Sequence, residues 1–421
     1  MPAMPSEPPC PDRIDAQRPD APELAAFGPH DVGVRTIDLV AHDRPDLRGP
    51  TLEAPIGRSD RHLRVEIWYP AALPPGVTPG GTYRATTPDG LTHATLHGRA
   101  VRDAPPVAGQ APFPLVIVSH GYPGNRFLLS HLTENLASKG FVVASIDHPE
   151  STYEDRGPFA STLYHRPLDQ RFVLDEVERL AAADGSFLSG RVDASRTAIV
   201  GYSMGGYGAL VSIGAGVTEA AVDLPFAPPE RLLAHHRAGS DALEARRDPR
   251  VAAVIAIAPW GMNAGLWDGS GLSEIRTPVL FLAGSADDVS GYEHGVRAIF
   301  DGAVNADRSL LTFVHAGHGV AAPVPAPRVA WETGTFDHYA DAVWDTVRMN
   351  NVAQHVATAF LRRHLRSDLA MDRYLDLVPD AAEGVWSVDD DGTPREDHSY
   401  WAGFANRTAV GLRFERRSPG R

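Results

Sequence analysis

The segment RTAIVGYSMGGYGAL, residues 196–210, constrains the fold of this chain more than any other stretch. A short apolar run leads into the pentapeptide GYSMG at 201–205, and small residues at helical spacing follow. The two outer glycines lack the Cβ atoms that would clash where a strand turns sharply into a helix. The pattern therefore predicts a strand, a tight turn and a helix, with the hydroxyl of Ser203 exposed at the helix N-terminus.

Apolar runs and helical patterns alternate along the chain on both sides of this turn. The continuous apolar runs are typical of strands buried on both faces of a sheet, and they read PLVIVSHG (114–121), FVVASIDHP (141–149), RTAIVG (196–201), VAAVIAIAPW (251–260), PVLFLAG (278–284) and SLLTFVHAG (309–317). Helical spacing of apolar residues is found at 127–140, 168–182, 205–216 and about 338–365. This alternation predicts an α/β fold with a mostly parallel central sheet and helices on both faces.

Two further segments precede the first buried run. VGVRTIDLVA at 32–41 and RHLRVEIWYP at 61–70 alternate apolar and polar residues with a period of two, which predicts half-buried strands on an antiparallel edge of the sheet. Segment 71–113 is rich in proline and glycine. It is predicted to be a long surface excursion.

The two ends of the chain and two insertions do not follow the alternation of strands and helices. Residues 1–30 are rich in proline, which predicts a leader that is mobile or loosely docked, and residues 31–421 are predicted to form a single domain. Insertions at about 217–249 and 319–337 are candidate lids or pocket walls, although surface decoration fits each equally well. The C-terminal residues 370–421 contain no motif that assigns them a role.

Composition excludes several classes of function. The formal net charge of −14 argues against a nucleic-acid partner. The single cysteine, Cys10, permits neither an intrachain disulfide nor a cysteine-based zinc site. No stretch reads as a membrane span, and the N-terminus MPAMPSEPPCPDR lacks the basic and apolar regions of a secretory signal, so the cytoplasm is the expected compartment. The oligomeric state is not readable from these features.

A serine hydroxyl becomes a nucleophile when a base takes its proton, and that base needs an orienting acid. After PVLFLAG, the sequence SADDV offers Asp287 and Asp288, and the spacing from the strand end favours Asp287, with Asp288 as a solvated loop charge. After the last buried run, FVHAGHGV offers His315 and His318, and the glycines around His318 favour it as the base. The two histidines have no third ligand nearby, so no metal is expected.

The same chemistry requires hydrogen-bond donors for a developing oxyanion. The backbone N–H of Met204 follows the serine, and the backbone N–H of Tyr122 lies in the glycine-containing loop SHGYPGNR after an earlier strand. His148, Tyr202 and Trp260 are candidate pocket residues. For His148, a turn with an internally satisfied imidazole is equally compatible with the sequence.

The chain resembles the α/β-hydrolase superfamily, and within it the dienelactone-hydrolase-like and platelet-activating-factor-acetylhydrolase-like branch. The likeness runs in family order over roughly residues 32–318 through VEIWYPA, GRAVRDAPP, PLVIVSHGYPGNR, FVVASIDHP, VGYSMGGYGAL, PVLFLAGSADDV and HAGHG. It implies the α/β-hydrolase fold with a small lid insertion, and no metal or organic cofactor. The site residues it implies are a triad of Ser203, Asp287 and His318 with oxyanion donors at Tyr122 and Met204. Dienelactone hydrolases themselves use a cysteine nucleophile, so their substrate does not carry over.

The sequence thus predicts an enzyme that cleaves a small-molecule carboxylic ester, with a short acyl chain or as a lactone, through an acyl-enzyme. An amidase or peptidase and an acyltransferase would use the same three residues, so both remain open. A catalytically silent scaffold that only binds a ligand is the alternative of another class. The intact serine, acid and histidine argue against it. The natural ester is not determined by these residues.

Overall fold

A computed structural model describes residues 12–49 and 55–420; Cys10 and the rest of residues 1–11 lie outside the described residues. The strands are β1 (Asp31–Asp46), β2 (Gly57–Ala71), β3 (Gly81–Thr86), β4 (His93–Gly98), β5 (Val101–Arg102), β6 (Phe113–Ser119), β7 (Val142–Asp147), β8 (Val192–Tyr202), β9 (Val251–Ile257), β10 (Val279–Gly284), β11 (Arg308–Phe313) and β12 (Leu412–Arg417). The α-helices are α1 (Ser130–Ser138), α2 (Phe159–Ala182), α3 (Met204–Ser212), α4 (Asp241–Glu244), α5 (Gly269–Leu272), α6 (Arg297–Gly302), α7 (Arg328–Glu332) and α8 (Thr346–Leu365).

Ten strands of the described residues form one sheet in the order β12-β11-β10-β9-β8-β6-β7-β2-β1-β5. The six strands from β11 to β7 run parallel to one another, which confirms the predicted mostly parallel α/β sheet. β2 and β1 continue the sheet in antiparallel orientation, as the alternating segments 32–41 and 61–70 predict. Because parallel strands end at one edge, the loops after β6, β8, β10 and β11 lie at the same side of the sheet.

The sheet separates two hydrophobic clusters, one on each face. Val116 and Val118 of β6 belong to the cluster that contains the apolar residues of α1 and α8. Leu115 and Ile117, the alternating residues of the same strand, belong to the cluster that contains those of α2, α3 and α6. Side chains alternate between faces along a strand, so a continuous apolar run is required where both faces are covered.

The segment 71–113 differs from its prediction as a surface excursion. β3 and β4 pair in antiparallel orientation as a separate two-stranded sheet within it. Tyr83 and Leu96 of this hairpin are buried, and the Tyr83 hydroxyl accepts a hydrogen bond of 2.9 Å from the indole N–H of Trp68. Its few apolar residues alternate with polar ones over only six positions per strand. The high content of proline and glycine around the hairpin therefore concealed it in the sequence.

The C-terminal residues complete the edge of the main sheet. β12 pairs in antiparallel orientation with β11, where Phe414 lies opposite Leu311. Trp401 is buried, and its indole N–H donates a 2.8 Å hydrogen bond to the carbonyl of Val378. Buried residues between 370 and 420, among them Tyr374, Trp401 and Phe404, therefore belong to the hydrophobic cluster on one face of the sheet. Within the described ranges, no helix has the length and apolar character needed to cross a membrane.

Residues 12–30 are docked by specific bonds rather than loosely, in contrast to what their proline content predicts. The backbone N–H of Leu24 donates to Nδ1 of His355 at 3.0 Å. The side-chain amide of Asn135 donates to the carbonyl of Ala25 at 2.8 Å. These bonds attach the segment to α1 and α8. The wider division of the chain into a leader and a single domain stays a prediction.

Lys139, the only lysine of the sequence, joins the same three elements. Its ammonium group donates to the carbonyl of Leu24, to the side-chain oxygen of Asn135 and to the hydroxyl of Thr358. None of these acceptors carries a charge. Burial, with a smaller contribution from a neighbouring arginine, lowers the pKa of Lys139 to about 7.

We expect this depressed pKa to make stability depend on pH. Between about pH 7 and about pH 10.5, the unfolded chain keeps a proton on Lys139 that the folded chain has released, so the free energy of unfolding rises with pH across this window. Denaturant unfolding of the wild type and of Lys139→Met at pH 7 and pH 9.5 measures the effect. The rise should be smaller in the variant, and an equal rise in both proteins contradicts the assignment.

Helix α2 begins nine residues before its predicted start and contains Pro167 in its interior. Proline has no N–H, so the carbonyl of Leu163 four residues earlier receives no helical hydrogen bond. The hydroxyl of Tyr207 on α3 donates to this carbonyl at 3.0 Å. Tyr207 is fully buried, so the bond satisfies two polar groups that have no access to water and ties α2 to α3.

Replacing Tyr207 by phenylalanine should therefore cost about 1–2 kcal/mol of unfolding free energy, because it leaves the Leu163 carbonyl buried and unpaired. In a Pro167→Ala background the restored helical N–H can bind that carbonyl. The same Tyr207→Phe substitution should then cost less. A double-mutant cycle measured by urea unfolding tests this coupling, and additive effects would show that the proline and the tyrosine act independently.

Candidate active site

Ser203 lies in a tight turn between β8 and α3, as the sequence predicts. Its backbone has φ 51° and ψ −112°, a conformation that a residue with a side chain rarely adopts. A Cβ atom on Gly201 would lie 2.2 Å from the carbonyl oxygen of Gly205, and one on Gly205 would lie 2.0 Å from that of Ser119. The two glycines are therefore required for the turn, and the turn holds the Ser203 hydroxyl at the N-terminus of α3.

The structure brings His318 and Asp287 to this serine. Nε2 of His318 lies 3.0 Å from Oγ of Ser203, and Nδ1 lies 3.0 and 3.1 Å from the two carboxylate oxygens of Asp287. Asp287 also accepts hydrogen bonds of 2.9 Å from the backbone N–H groups of Val289 and Ser290. Burial acts to raise the pKa of Asp287, but the bonds from His318 and the two amides lower it overall. An ionised carboxylate thus orients the imidazole.

The alternatives for acid and base do not join this arrangement. Asp288 is exposed and has no hydrogen bond or ion pair within the described ranges. His315 is exposed, with its backbone N–H bound to the Ser285 hydroxyl at 2.7 Å. His315 and His318 also fall short of a metal site, since no group of three metal-ligating side chains occurs in the part of the chain that the structure describes.

The two predicted oxyanion donors flank Ser203. The loop after β6 abuts the turn, because a Cβ atom on Gly121 would lie 3.4 Å from Cβ of Ser203. Within the described residues, neither the amide of Tyr122 nor that of Met204 has a hydrogen-bond acceptor. The Met204 amide is in addition the first of α3, where the helix dipole favours negative charge. The role of these two amides as oxyanion donors stays a prediction.

Two of the three candidate pocket residues lie beside the serine. The ring of Tyr202 packs on that of His318 with centroids 5.3 Å apart, and both line a cavity of about 460 Å³. The insertion at 319–337 contributes to the wall of this cavity. The backbone N–H of Trp260 donates to the carbonyl of Ser203 at 3.2 Å.

Trp260 also belongs to an aromatic wall formed by four half-buried side chains, namely Tyr122, Phe159, Phe226 and Trp260. The ring of Phe159 lies 5.2 Å from those of Tyr122 and Trp260 and 5.8 Å from that of Phe226. Phe226 comes from the insertion at 217–249. Sequence analysis identified Tyr122 and Trp260 but not the two phenylalanines, which lie in segments without a recognisable motif.

His148 lies in the interior of the protein, and a role in the pocket stays a prediction. It is buried, with Nε2 2.9 Å from Oγ of Ser119 and Nδ1 2.9 Å from a carboxylate oxygen of Asp169. The guanidinium of Arg61 binds the same carboxylate at 2.9 and 3.0 Å. Burial lowers the pKa of His148 to about 3, so the imidazole is neutral. The second interpretation, an internally satisfied histidine, describes its environment.

The residues Ser119, His148 and Asp169 form a buried array with the same chemical groups as Ser203, His318 and Asp287. The two arrays differ in access, because Ser119 is 0% exposed and Ser203 7%. They differ also in setting, since Ser119 is the last residue of a strand and has no helix N-terminus beside it. The buried array was missed in the sequence because Asp169 lies in a helical pattern that carries no catalytic motif.

Comparison with known proteins finds similar sequences and a similar fold. A family model described as PET hydrolase-like matches residues 85–232. Cutinase 2 of Thermobifida cellulosilytica is 27% identical over 175 residues, which are 42% of this chain and 48% of the cutinase. The bis(hydroxyethyl) terephthalate hydrolase of Streptomyces coelicolor is 23% identical over 208 residues, which are 49% of this chain and 50% of that enzyme. The chain thus spans about half the length of the curated relatives it matches.

A solved structure, the ferulic acid esterase from Streptomyces cinnamoneus, matches with a TM-score of 0.54 at 22% identity. The match covers 86% of this chain and 96% of that one. The chain has the α/β-hydrolase fold. The positions of the serine turn after β8, the acid after β10 and the histidine after β11 follow the order of serine, acid and histidine known for this fold.

The difference in access between the two serines predicts the result of covalent labelling. A fluorophosphonate should form a phosphorus–oxygen bond to Oγ of Ser203 with loss of fluoride, because His318 can take the proton and the two amides can bind the phosphonyl oxygen. Ser119→Ala should still be labelled, and Ser203→Ala should not. Peptide mapping by mass spectrometry locates the adduct, and labelling of Ser119 in the Ser203→Ala variant would refute this reading.

Proposed function

We propose that this α/β-hydrolase is a serine esterase that cleaves a carboxylic ester through an acyl-enzyme. The observation that carries the proposal is the continuous set of hydrogen bonds from Ser203 through His318 to Asp287, next to two amides without acceptors. The buried Ser119 shares such hydrogen bonds with His148 and Asp169, but Ser203 differs from it by its exposure and by its place at a helix N-terminus. The matched family model and the relatives named above, all hydrolases of esters by name, support the same chemistry.

In the proposed reaction, Nε2 of His318 takes the proton of Ser203 as Oγ attacks the ester carbonyl carbon. The amides of Tyr122 and Met204 donate to the resulting oxyanion. His318 then gives the proton to the leaving alcohol oxygen as the C–O bond breaks, and water attacks the acyl-enzyme by the same steps. Asp287 stays ionised and stabilises the imidazolium. Each oxyanion donor contributes about 3–4 kcal/mol of transition-state stabilisation.

The aromatic wall favours an ester substrate whose acyl group contains an aromatic ring. The backbone N–H of Trp260 is bound to the carbonyl of Ser203, and Tyr122 follows Gly121, which lies beside Ser203. Their side chains join Phe159 and Phe226 in one half-exposed apolar surface. Aromatic rings in offset or edge contacts gain about 0.5–1.5 kcal/mol beyond area burial. Terephthalate and ferulic acid, which the names of two matched proteins contain, are both aromatic acids.

Two narrower predictions of the sequence belong to this proposal. The matched relatives are named as cutinases and as a terephthalate-ester hydrolase. Kinship with the dienelactone-hydrolase-like and platelet-activating-factor-acetylhydrolase-like branch therefore stays a prediction, as does a cytoplasmic location. A short acyl chain or a lactone also remains compatible with the site.

A panel of p-nitrophenyl esters tests the proposal. We expect turnover of the acetyl to dodecanoyl esters to fall towards long chains, turnover of the benzoate ester, and a loss of about 10⁴-fold or more in Ser203→Ala and His318→Ala. Trp260→Ala should lower kcat/KM for the benzoate about 3- to 10-fold more than for the acetate. Trp386→Ala, which removes a half-exposed indole of the C-terminal segment, is the matched control.

The outcomes separate the proposal from its competitors. Preference for matched anilides over esters would identify an amidase or peptidase. Transfer of the acyl group to an added alcohol in preference to water would identify an acyltransferase. An absence of turnover together with an absence of fluorophosphonate labelling would leave the chain as a scaffold without catalysis.

A further inference from the structure

A buried arginine of α2 binds the loop that supplies one proposed oxyanion donor. Arg166 is 1% exposed, and its guanidinium donates to the carbonyl of His120, to the carbonyl of Gly121 at 3.3 Å and to the hydroxyl of Ser151. All three acceptors are uncharged. The mechanism above gives this residue no role, and neither the sequence motifs nor the likeness to known families pointed to it.

The carbonyl of Gly121 belongs to the same peptide group as the N–H of Tyr122. A trans peptide group is planar, so its carbonyl and its N–H point in opposite directions. A bond that fixes the direction of the Gly121 carbonyl therefore also fixes the direction of the Tyr122 N–H. The guanidinium of Arg166, 3.3 Å from the carbonyl oxygen, and Nδ1 of His120, 2.7 Å from it, lie on the carbonyl side, and the N–H without an acceptor lies on the other.

The charge of Arg166 matters as well as its position. Burial lowers its pKa to about 9, which leaves the guanidinium protonated at neutral pH. The nearby carboxylate of Asp169 is bound to Arg61 and His148 rather than to Arg166. A cation bound to a peptide carbonyl polarises the group and strengthens its N–H as a donor, and this effect is larger in a medium of low dielectric constant.

The peptide group that carries the second proposed oxyanion donor, the N–H of Met204, is also held by hydrogen bonds. The carbonyl of Ser203, which shares a peptide group with the Met204 N–H, accepts from the backbone N–H groups of Trp260 at 3.2 Å and Tyr207 at 3.0 Å. Gln170, one turn after Arg166 on α2, donates to the carbonyl of Gly205 at 3.0 Å. Helix α2 thus contacts the backbone on both sides of the serine.

We propose that Arg166 is a positioning residue for the oxyanion hole, which orients and polarises the Gly121–Tyr122 peptide group so that its N–H binds the developing oxyanion. The inference rests on the proposed esterase function. It predicts that loss of the guanidinium weakens transition-state binding while leaving ground-state binding of the ester unchanged.

The experiment compares Arg166→Lys and Arg166→Met with the wild type, using a p-nitrophenyl ester and an aryl trifluoromethyl ketone. Ser203 adds to the ketone to give a tetrahedral adduct whose oxyanion occupies the hole, so its inhibition constant reports on the hole directly. The concentration of active sites is determined by fluorophosphonate titration. A variant that merely folds poorly then loses active sites without changing kcat per site.

Arg308→Met is the matched control. Arg308 is likewise 1% exposed and binds backbone carbonyls, those of Phe300, Val304 and Ala306. It is the first residue of β11 and so lies at the amino-terminal ends of the parallel strands, whereas Ser203 lies at their carboxyl-terminal ends. Its loss should lower the melting temperature, as should the loss of Arg166, but it should leave kcat per active site unchanged.

For Arg166→Met we expect kcat per active site to fall about 100-fold, the loss seen when one oxyanion donor is removed, with KM changed less than about 3-fold. The inhibition constant of the trifluoromethyl ketone should rise by a similar factor. Arg166→Lys keeps the cation but not the fork that reaches two carbonyls, so its loss should be intermediate. That ranking of the three proteins supports the inference.

Two results would overturn it, and they are distinguishable. If the wild type hydrolyses the ester and Arg166→Lys retains its kcat and inhibition constant, Arg166 is structural and the esterase proposal stands. If the wild type neither hydrolyses esters nor reacts with the fluorophosphonate, both proposals fail together. Should Arg166→Met not fold, the lysine variant decides alone, because it preserves charge and most of the volume.

Discussion

The close approach of α3 to the end of β6 is the constraint on which the rest of the site depends. Gly205 leaves no room for a side chain against the carbonyl of Ser119, so the turn that carries Ser203 and the loop that carries Tyr122 meet without an intervening layer. This contact brings the loop of Tyr122 and the first turn of α3 together from distant parts of the chain. The strained backbone of Ser203 is stable because strands buried on both faces hold it from either side.

Helix α2 binds both segments that meet in this contact. It remains continuous through Pro167 because Tyr207 supplies the missing hydrogen bond, and this continuity allows Arg166 and Gln170 to reach the backbone on both sides of the serine. Gly208 permits the packing, since a Cβ atom there would lie 2.5 Å from Cγ of Arg166. The same helix provides Asp169 to the buried array, so one element contacts both that array and the backbone around Ser203.

The paired arrays show why a set of residue types is insufficient to define a site. Ser119, His148 and Asp169 form the same hydrogen bonds as Ser203, His318 and Asp287, yet Ser119 is fully buried. The two serines therefore differ in their environment. Ser203 lies at a helix N-terminus and its partner His318 lines a cavity, whereas Ser119 is the last residue of a buried strand.

The sequence by itself determined the parallel sheet, the serine turn and the order of Ser203, Asp287 and His318, because buried strands and glycine-flanked turns leave local patterns. Only the tertiary structure decided that His148 is buried against Asp169 and that the hairpin β3–β4 forms within a segment rich in proline and glycine. Arg166 and the two phenylalanines of the aromatic wall could not be identified from the sequence for the same reason. Their roles arise from contacts between residues far apart in the chain, and such contacts have no local pattern.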